Sequence, residues 1–271
     1  MELRERQLEG FPAFAAVSEL LLRVRSEDAD AGLWEAGDIQ WWWAAGEGDE
    51  SQATIWTDPS GQDVAYLTLS GALAGTGGAG RVDADFGWRP SADAVVRSDV
   101  RPRIIARLAS RLASPEAPVA VFADERDADV CRLLEEAGFR HDPSEDIVQM
   151  LRPPGAAPPE VPLPPGFRFD DDRSRPPGVS HHLARRTGGR VAERLRVGSL
   201  YRPNLDLCIR TDGGELAAYC LCWLDGQNGV GLFEPVRTED AFQRRGLGTA
   251  GDPAAHGWGR DDDQGSARGR E

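Results

Sequence analysis

The feature that most constrains this chain is a run of prolines between Arg152 and Gly166, where seven of fifteen residues are proline. Proline has no backbone N–H and fixes φ at about −65°, so such a run disfavours helix and central strand and favours extended geometry. The run is typical of a semi-rigid linker, which we place at residues 153–165. We therefore expect two domains, and 271 residues leave room for both at roughly 100 to 200 residues per domain.

The charge of the chain excludes several classes of function. It has 31 basic residues, all of them arginine, against 45 acidic residues, which gives a net charge of −14. A nucleic-acid binder needs a basic face to neutralise phosphates, so we expect no nucleic-acid partner. The absence of lysine excludes a Schiff-base enzyme and a P-loop, because both need a lysine amine. The charged start and the lack of an apolar run of roughly 18 residues predict a cytoplasmic protein with no membrane partner.

The first half, residues 1–152, has the hydrophobic spacing of an α/β domain. A helical period runs from Phe14 to Val24, and the strands Ala53–Trp56 and Val64–Leu69 flank a turn sequence, which predicts a hairpin. The later spacing predicts, in order, a weak strand, a helix, a strand, a helix and a last strand: Val82–Trp88, Pro102–Leu112, Val119–Ala123, Ala128–Ala137 and Ile147–Leu151.

The second half, residues 166–250, repeats the order of helix, hairpin and strand. A helix is predicted at Val191–Val197, a hairpin at Leu205–Arg210 and Leu216–Leu224 around the turn sequence Thr211-Asp-Gly-Gly214, and a third strand at Gly229–Val236. Residues 251–271 contain no Leu, Ile, Val, Phe or Met and are rich in glycine and acid, which predicts a disordered tail.

The segment Gln243-Arg-Arg-Gly-Leu-Gly248 follows the third strand of the second half. Closely spaced glycines allow successive backbone N–H groups to point into one cavity, and a helix that begins there adds its positive end. The spacing therefore favours a cradle for phosphate. On spacing alone, a solvated turn rich in arginine and glycine is an equal alternative.

The segment resembles the acyl-coenzyme-A motif of the GNAT acetyltransferase superfamily, Gln/Arg-x-x-Gly-x-Gly/Ala, with Gln243, Gly246 and Gly248 at the matching positions. The preceding Phe233-Glu-Pro-Val236 resembles the family's central strand, and Cys131–Phe139 in the first half is similar to its last helix and the following turn. The resemblance covers most of residues 18–250. It implies an α/β protein with two tandem mixed-sheet GNAT-like domains, the C-terminal one incomplete.

The resemblance also implies a function, an acyl-coenzyme-A-dependent N-acetyltransferase in which an amine attacks the thioester of acetyl-coenzyme A directly. It suggests Glu234 as the base, with a structural carboxylate as the alternative. The acceptor is an unidentified small-molecule or peptide amine, and we expect no metal. The residues expected to bind the cofactor are Val236, Arg237, Gln243, Arg244, Arg245, Gly246, Leu247, Gly248, Thr249 and Ala250.

The sequence departs from the family pattern in both halves. The pattern continues after Ala250 with two helices and two strands, which residues 251–271 do not resemble, and the first half has no Gly-x-Gly turn between Trp88 and Ile105. We therefore expect a first domain that does not bind coenzyme A and a transferase impaired by C-terminal truncation. Two alternatives stay open: a non-catalytic module that binds acyl-coenzyme A or a protein partner, and a truncated product without activity.

Three other features are interpreted as structural. The run Trp41-Trp42-Trp43 favours packing in the core or at a domain interface over stacking on a sugar or base. His181 and His182 are expected in a surface loop, because adjacent positions diverge on any regular element. Cys220 and Cys222 would share one face of a strand as buried thiols rather than as metal ligands.

Overall fold

The computed structural model describes residues 3–30, 32–46, 52–71, 81–112, 118–152, 155 and 161–248. The chain divides into two compact units, unit 1 at Met1–Gln149 and unit 2 at Met150–Glu271. Each unit has one β-sheet with short or long helices, so the protein is mixed α/β as the sequence predicts. Within the described ranges, no helix combines the length and the apolar composition needed to cross a membrane. The tail predicted at residues 251–271 lies outside the described residues.

The sheet of unit 1 has five strands in chain order. The first three pairs of neighbouring strands are antiparallel and the last pair is parallel. The strands are β1 Arg4–Glu9, β2 Gln52–Thr57, β3 Asp63–Gly71, β4 Val82–Trp88 and β5 Val119–Val121. The sequence did not predict β1, because this edge strand is polar and gives no hydrophobic alternation.

The helices of unit 1 place its apolar residues against this sheet. The helix predicted at Phe14–Val24 is the central part of a longer helix, and a π-helical turn at residues 96–100 joins two others. The helices are α1 Gly10–Glu27, α2 Ala36–Ala45, α3 Asp93–Val95, α4 Arg101–Leu112 and α5 Ala128–Glu136. The core includes Trp56 and Leu67 from the sheet and Ile104 and Leu108 from α4.

Two sequence expectations for unit 1 have different outcomes. Core packing of the tryptophan run is confirmed, since Trp41 is buried and Trp43 stacks on Phe14 with the ring centroids 4.7 Å apart. The strand predicted at Ile147–Leu151 is wrong, since this segment has no regular secondary structure and pairs with no strand of the described residues, and Met150 is 92% exposed. A hydrophobic run can satisfy the pattern of a strand, but a strand also needs a neighbour to accept its hydrogen bonds.

The sheet of unit 2 has four antiparallel strands in chain order. The strands are β6 Phe167–Asp171, β7 Asp206–Thr211, β8 Leu216–Asp225 and β9 Val230–Thr238, with short helices α6 Ala184–Thr187 and α7 Val191–Val197. The β7–β8 hairpin forms where the Asp-Gly-Gly turn predicted it, with Gly214 at a φ of 89°. The register between β8 and β9 shifts between Cys220 and Cys222, which places a bulge in β9 beside Glu234.

The two units share the pairing geometry of their central hairpin. In unit 1, Tyr66 of β3 lies opposite Gly87 of β4, and in unit 2, Tyr219 of β8 lies opposite Arg237 of β9. The chain leaves the sheet two residues after each of these positions, at Arg89 in unit 1 and at Glu239 in unit 2. The order of elements that the sequence suggested as a faint repeat therefore corresponds to the same local backbone geometry in both units.

The turn that leaves the sheet is also repeated. The N–H of Arg89 donates to the carbonyl of Val64 at 2.9 Å, and the N–H of Glu239 donates to the carbonyl of Ala217 at 2.9 Å. In unit 1 the N–H of Ala92 donates to the carbonyl of Arg89, and in unit 2 the N–H of Phe242 donates to the carbonyl of Glu239. Arg89 and Glu239 are thus equivalent positions with opposite charge.

Candidate functional site

The turn after β9 contains the motif that the sequence singled out. A 3₁₀ turn at Asp240–Phe242 precedes it, and a helix begins at Leu247. Arg244 and Gly246 have positive φ values of 61° and 79°, the left-handed conformation that can turn neighbouring backbone N–H groups towards one side. Glycine adopts this conformation without strain, whereas it costs a residue such as Arg244 roughly 1–2 kcal/mol.

Two buried side chains attach this turn to the sheet. Phe242 and Leu247 pack in one cluster with Ile209 of β7 and Ala218 of β8. Between and after them, the residues from 243 to 246 and Gly248 are exposed. No atom of the described residues lies within 4 Å of the position that a Cβ on Gly248 would take. The turn is therefore fixed at its base and open on its outer side, as a backbone anion site requires.

A cavity of about 190 Å³ lies beside the turn. It is lined mainly by apolar side chains and is smaller than the roughly 300–1,000 Å³ of a drug-sized site, so it fits a narrow part of a ligand such as an alkyl chain. Of the predicted cofactor residues, Val236, Arg237, Leu247 and Gly248 line it. The other lining residues are Phe169, Leu207, Cys208, Ile209, Ala218, Tyr219, Cys220, Phe233 and Thr238.

The remaining predicted site residues lie outside this lining. Gln243, Arg244, Arg245 and Gly246 are on the exposed outer side of the turn. Thr249 and Ala250 lie outside the described residues. The cavity is thus lined by residues from both sides of the turn, Val236 and Arg237 before it and Leu247 and Gly248 after it. Residues 243–246, between them, face solvent.

Glu234, the predicted base, is half-buried in the bulge of β9 between Phe233 and Val236, both of which line the cavity. Its peptide bond to Pro235 is cis, and its carbonyl accepts a hydrogen bond from Trp223 Nε1 at 2.7 Å. The backbone at Glu234 is therefore anchored next to the cavity. The role of its carboxylate stays a prediction.

The expectation of buried thiols is confirmed, since Cys220 and Cys222 are both buried. Cys208 is buried as well and lines the cavity together with Cys220. Burial raises the pKa of Cys208 to about 11 and that of Cys222, which is next to the cavity residue Phe233, to about 12. Both thiols are therefore protonated at neutral pH. A thiol in this form is a poor nucleophile, so neither cysteine is suited to carry an acyl group.

The carboxylate of Glu239 lies among three arginines, of which the sequence had singled out only Arg237. Its carboxylate accepts hydrogen bonds from Arg186 Nη2 at 2.7 Å and Arg185 Nη2 at 3.1 Å, and Arg237 Nε lies 3.8 Å away. The hydrogen bonds from Arg186 lower the pKa of Glu239 more than its burial raises it. The two adjacent arginines before Thr187 were visible in the sequence, but nothing local linked them to a residue 53 positions away.

A buried polar network lies beneath β7. Asp206 Oδ2 accepts from His181 Nε2 at 2.8 Å and from the Tyr201 hydroxyl at 2.8 Å, and the same hydroxyl lies 3.1 Å from Asp172 Oδ2. The rings of His181 and His182 stack with centroids 4.3 Å apart. The expected surface loop is therefore wrong: both imidazoles are buried, because they face a carboxylate that the sheet carries into the interior.

The hydrogen bonds from His181 and Tyr201 stabilise the ionised carboxylate of Asp206. Burial alone raises the pKa of a carboxyl group, but here the hydrogen bond from His181 and the nearby imidazole of His182 lower the pKa of Asp206 well below its usual range. His182 Nε2 lies 3.1 Å from Asp206 Oδ1 without the alignment of a full hydrogen bond. Asp206 is therefore ionised inside the protein.

The same three residues offer ligand atoms that lie within 4.8 Å of one another, close enough to hold a metal ion. The backbone N–H of Leu183 donates to His181 Nδ1 at 3.2 Å, which places the proton of the neutral ring on Nε2, the atom that faces Asp206. A metal on that nitrogen would have to displace the proton. The geometry therefore favours a hydrogen-bonded network over a metal site.

Solved structures of N-acetyltransferases are among the matches to this chain. No protein-family profile and no curated protein sequence matches the chain. A GCN5-related N-acetyltransferase from Sphaerobacter thermophilus has a TM-score of 0.47 and 17% identity, over 93% of this chain and 82% of that one. The chain is similar to GCN5-related N-acetyltransferases.

Two further solved structures belong to the same class. A GCN5-related glucosamine N-acetyltransferase region of a fungal multi-domain β-N-acetylglucosaminidase has a TM-score of 0.44 and 10% identity, over 94% of this chain and 33% of that chain. A ribosomal-protein-alanine N-acetyltransferase from Brucella melitensis biovar Abortus 2308 has a TM-score of 0.35 and 10% identity, over 55% of this chain and all of that one.

The equivalent turn of unit 1 differs from the N-acetyltransferase motif in charge as well as in sequence. Glu27, the last residue of α1, accepts hydrogen bonds from Arg89 Nε at 2.6 Å and from the backbone N–H of Ser91 at 3.0 Å. Burial raises the pKa of Glu27, but these hydrogen bonds outweigh it and lower the pKa overall. A carboxylate of the protein itself therefore occupies a backbone donor of this turn.

Proposed function

We propose that unit 2 binds acetyl-coenzyme A and transfers its acetyl group to an amine. The observation that carries the proposal is the turn at residues 243–248. It combines two left-handed residues and a helix start with open space at Gly248, directly beside an apolar cavity. This combination suits a ligand that has both an anionic diphosphate and a narrow alkyl arm. The solved structures to which the chain is similar are transferases of this kind.

The chemistry requires few protein groups. The amine nitrogen forms a bond to the carbonyl carbon, the carbon–sulfur bond breaks, and the amine proton ends on the leaving thiolate, so the products are an amide and free coenzyme A. In this proposal Glu234 removes the amine proton, directly or through water, and a backbone N–H near Val236 or Arg237 donates to the carbonyl oxygen. The exposed turn holds the phosphates.

We expect the acetyl transfer by unit 2 to be slow. A helix begins at Leu247, and from residue 251 the sequence contains no Leu, Ile, Val, Phe or Met. A helix gains most of its stability from an apolar face packed on the fold. A segment that lacks this face would hold the turn less firmly and weaken phosphate binding.

The test compares thermal unfolding with and without millimolar acetyl-coenzyme A. A ligand that binds the folded state raises the melting temperature, and Gly248→Asp should remove that rise by adding negative charge where the structure has open space. Gly226→Asp is the matched control, because it adds the same charge at another exposed glycine with open space, in the β8–β9 turn. Absence of any rise in the unmodified protein would contradict the proposal.

Turnover separates the transferase from its alternative. Release of free thiol with a panel of amines should be detectable but slower than about 1 per second, the lower end of ordinary enzymatic rates. Binding without any release of thiol would instead support the non-catalytic acyl-coenzyme-A module. An ordinary rate would contradict the proposed impairment.

A further inference from the structure

Basic side chains gather at one end of the unit 2 sheet, although the chain as a whole carries a net charge of −14. Arg185, Arg186 and Arg237 face the single carboxylate of Glu239, and Arg244 and Arg245 follow on the exposed turn. The nearby Asp240 pairs with Arg237 at 2.9 Å. Five guanidinium groups thus stand against two carboxylates, which leaves a local positive excess beside the turn.

Glu239 holds this group in a fixed place. Its backbone is tied on both sides, by its N–H to Ala217 and by its carbonyl to Phe242. Its side chain is only 10% exposed, whereas the side chains of Arg185 and Arg186 are 74% and 39% exposed. A guanidinium has five N–H donors, so both arginines can keep their bond to Glu239 and still donate to a ligand from solvent.

Unit 1 shows the opposite arrangement on the same backbone frame. At the position of Glu239 it has Arg89, and from the first helix of the unit it supplies Glu27, where unit 2 supplies Arg185 and Arg186 from α6. In unit 1 the carboxylate occupies a backbone donor of the turn, and in unit 2 the helix brings positive charge to the turn. In unit 1 a carboxylate already uses a donor of the turn, whereas in unit 2 the arginines leave the turn open to an anion.

We propose that Arg185 and Arg186 form a second anion-binding element that contacts a phosphate group of coenzyme A, and that Glu239 is the positioning residue for both. This inference rests on the proposed function of unit 2 and extends it to a helix outside the motif. The motif turn supplies backbone donors, and α6 supplies charge-assisted ones, which are shorter and stronger.

The experiment measures the affinity of the full chain for coenzyme A by isothermal titration calorimetry. Replacing both arginines, as R185Q/R186Q, should weaken binding about 10-fold or more, as expected for lost charge-assisted hydrogen bonds. The matched control is Arg190→Gln, which removes one charge from an exposed arginine just before α7 and should change affinity less than about 2-fold. Circular dichroism verifies that each variant is folded.

Glu239→Gln separates positioning from simple charge. It makes this end of the sheet more positive, so a purely electrostatic role predicts tighter binding. A positioning role predicts binding weakened about 3-fold or more, because the arginines lose the carboxylate that orders them. It also provides a result if the double variant fails to fold.

The outcomes are distinct. Weaker binding by both R185Q/R186Q and E239Q supports the inference. Binding by the unmodified protein that R185Q/R186Q leaves unchanged overturns it and leaves the proposed function intact, and tighter binding by E239Q overturns the positioning role. Failure of the unmodified protein to bind coenzyme A overturns the proposed function, and this inference with it.

Discussion

The carboxylate of Glu27 accepts the backbone N–H of Ser91 at 3.0 Å, across 64 residues of sequence. An anion that approached the turn after β4 would need this donor and would meet a negative charge that already uses it. In the sequence, the only indication that unit 1 does not bind coenzyme A was the missing Gly-x-Gly turn. The structure adds a second physical reason, since the protein supplies its own anion there.

Residues 1–149, expressed alone, should melt cooperatively and show no affinity for coenzyme A. The fragment must begin at residue 1, since a start at residue 18 would remove β1 and cut α1, which packs on the sheet. Differential scanning calorimetry and titration calorimetry measure the two properties. Binding by this fragment would reverse the assignment of roles between the units.

Asp85 should make unit 1 less stable as the pH rises from about 4 to about 6. Burial raises the pKa of Asp85 to about 6, although Trp34 Nε1 donates to it at 2.9 Å. The unfolded chain releases this proton near pH 4, so between these values the folded state binds more protons and loses relative stability with rising pH. Asp85→Asn should therefore raise the free energy of unfolding by about 1–2 kcal/mol at pH 7.5.

The advantage of Asp85→Asn should vanish below about pH 4, where the carboxyl group is protonated in both states. Urea unfolding at a series of pH values gives the comparison. Asp129→Asn, at an exposed position of α5, is the control and should show no such dependence. An advantage that persisted unchanged at low pH would argue against titration of Asp85 as the cause.

Gly87 is required by the ring of Tyr66. A Cβ on Gly87 would stand 2.8 Å from Tyr66 Cε1, and Tyr66 is fully buried. Gly87→Ala should lower the free energy of unfolding by about 1–3 kcal/mol, the usual cost of overpacking. Chemical denaturation measures it, with Gly226→Ala as a control in open space. Equal stability of the two variants would mean that the ring accommodates the methyl group.

The network around Asp206 should be a structural element that needs no metal. Asp206→Ala should cost about 3–5 kcal/mol, because it leaves the buried imidazole of His181 without its acceptor and removes an acceptor of the Tyr201 hydroxyl. Added Zn²⁺ or a chelator should shift the melting temperature of the unmodified protein by no more than about 1 °C. A zinc-dependent rise that Asp206→Ala abolishes would show that His181 and His182 bind metal after all.

The sequence by itself determined the local elements of both units. The Asp-Gly-Gly turn and the alternation around it act over a few residues, so the β7–β8 hairpin is found within one residue of its predicted bounds. The charge, the lack of lysine and the Gln243–Gly248 motif likewise needed no tertiary contact to be read. A polar element such as β1 has no hydrophobic pattern that would predict it. It is a strand because it pairs with β2.

Only the tertiary structure decided which distant residues meet. His181 joins Asp206 across 25 residues, Arg186 joins Glu239 across 53, and Glu27 joins the turn after β4 across 64. The spacing of apolar residues along the chain indicates which side chains face the core, but not which residues they contact there. Those partners depend on how strands and helices pack, because a buried charge is stable only where the fold brings an opposite charge or a hydrogen-bond donor to it.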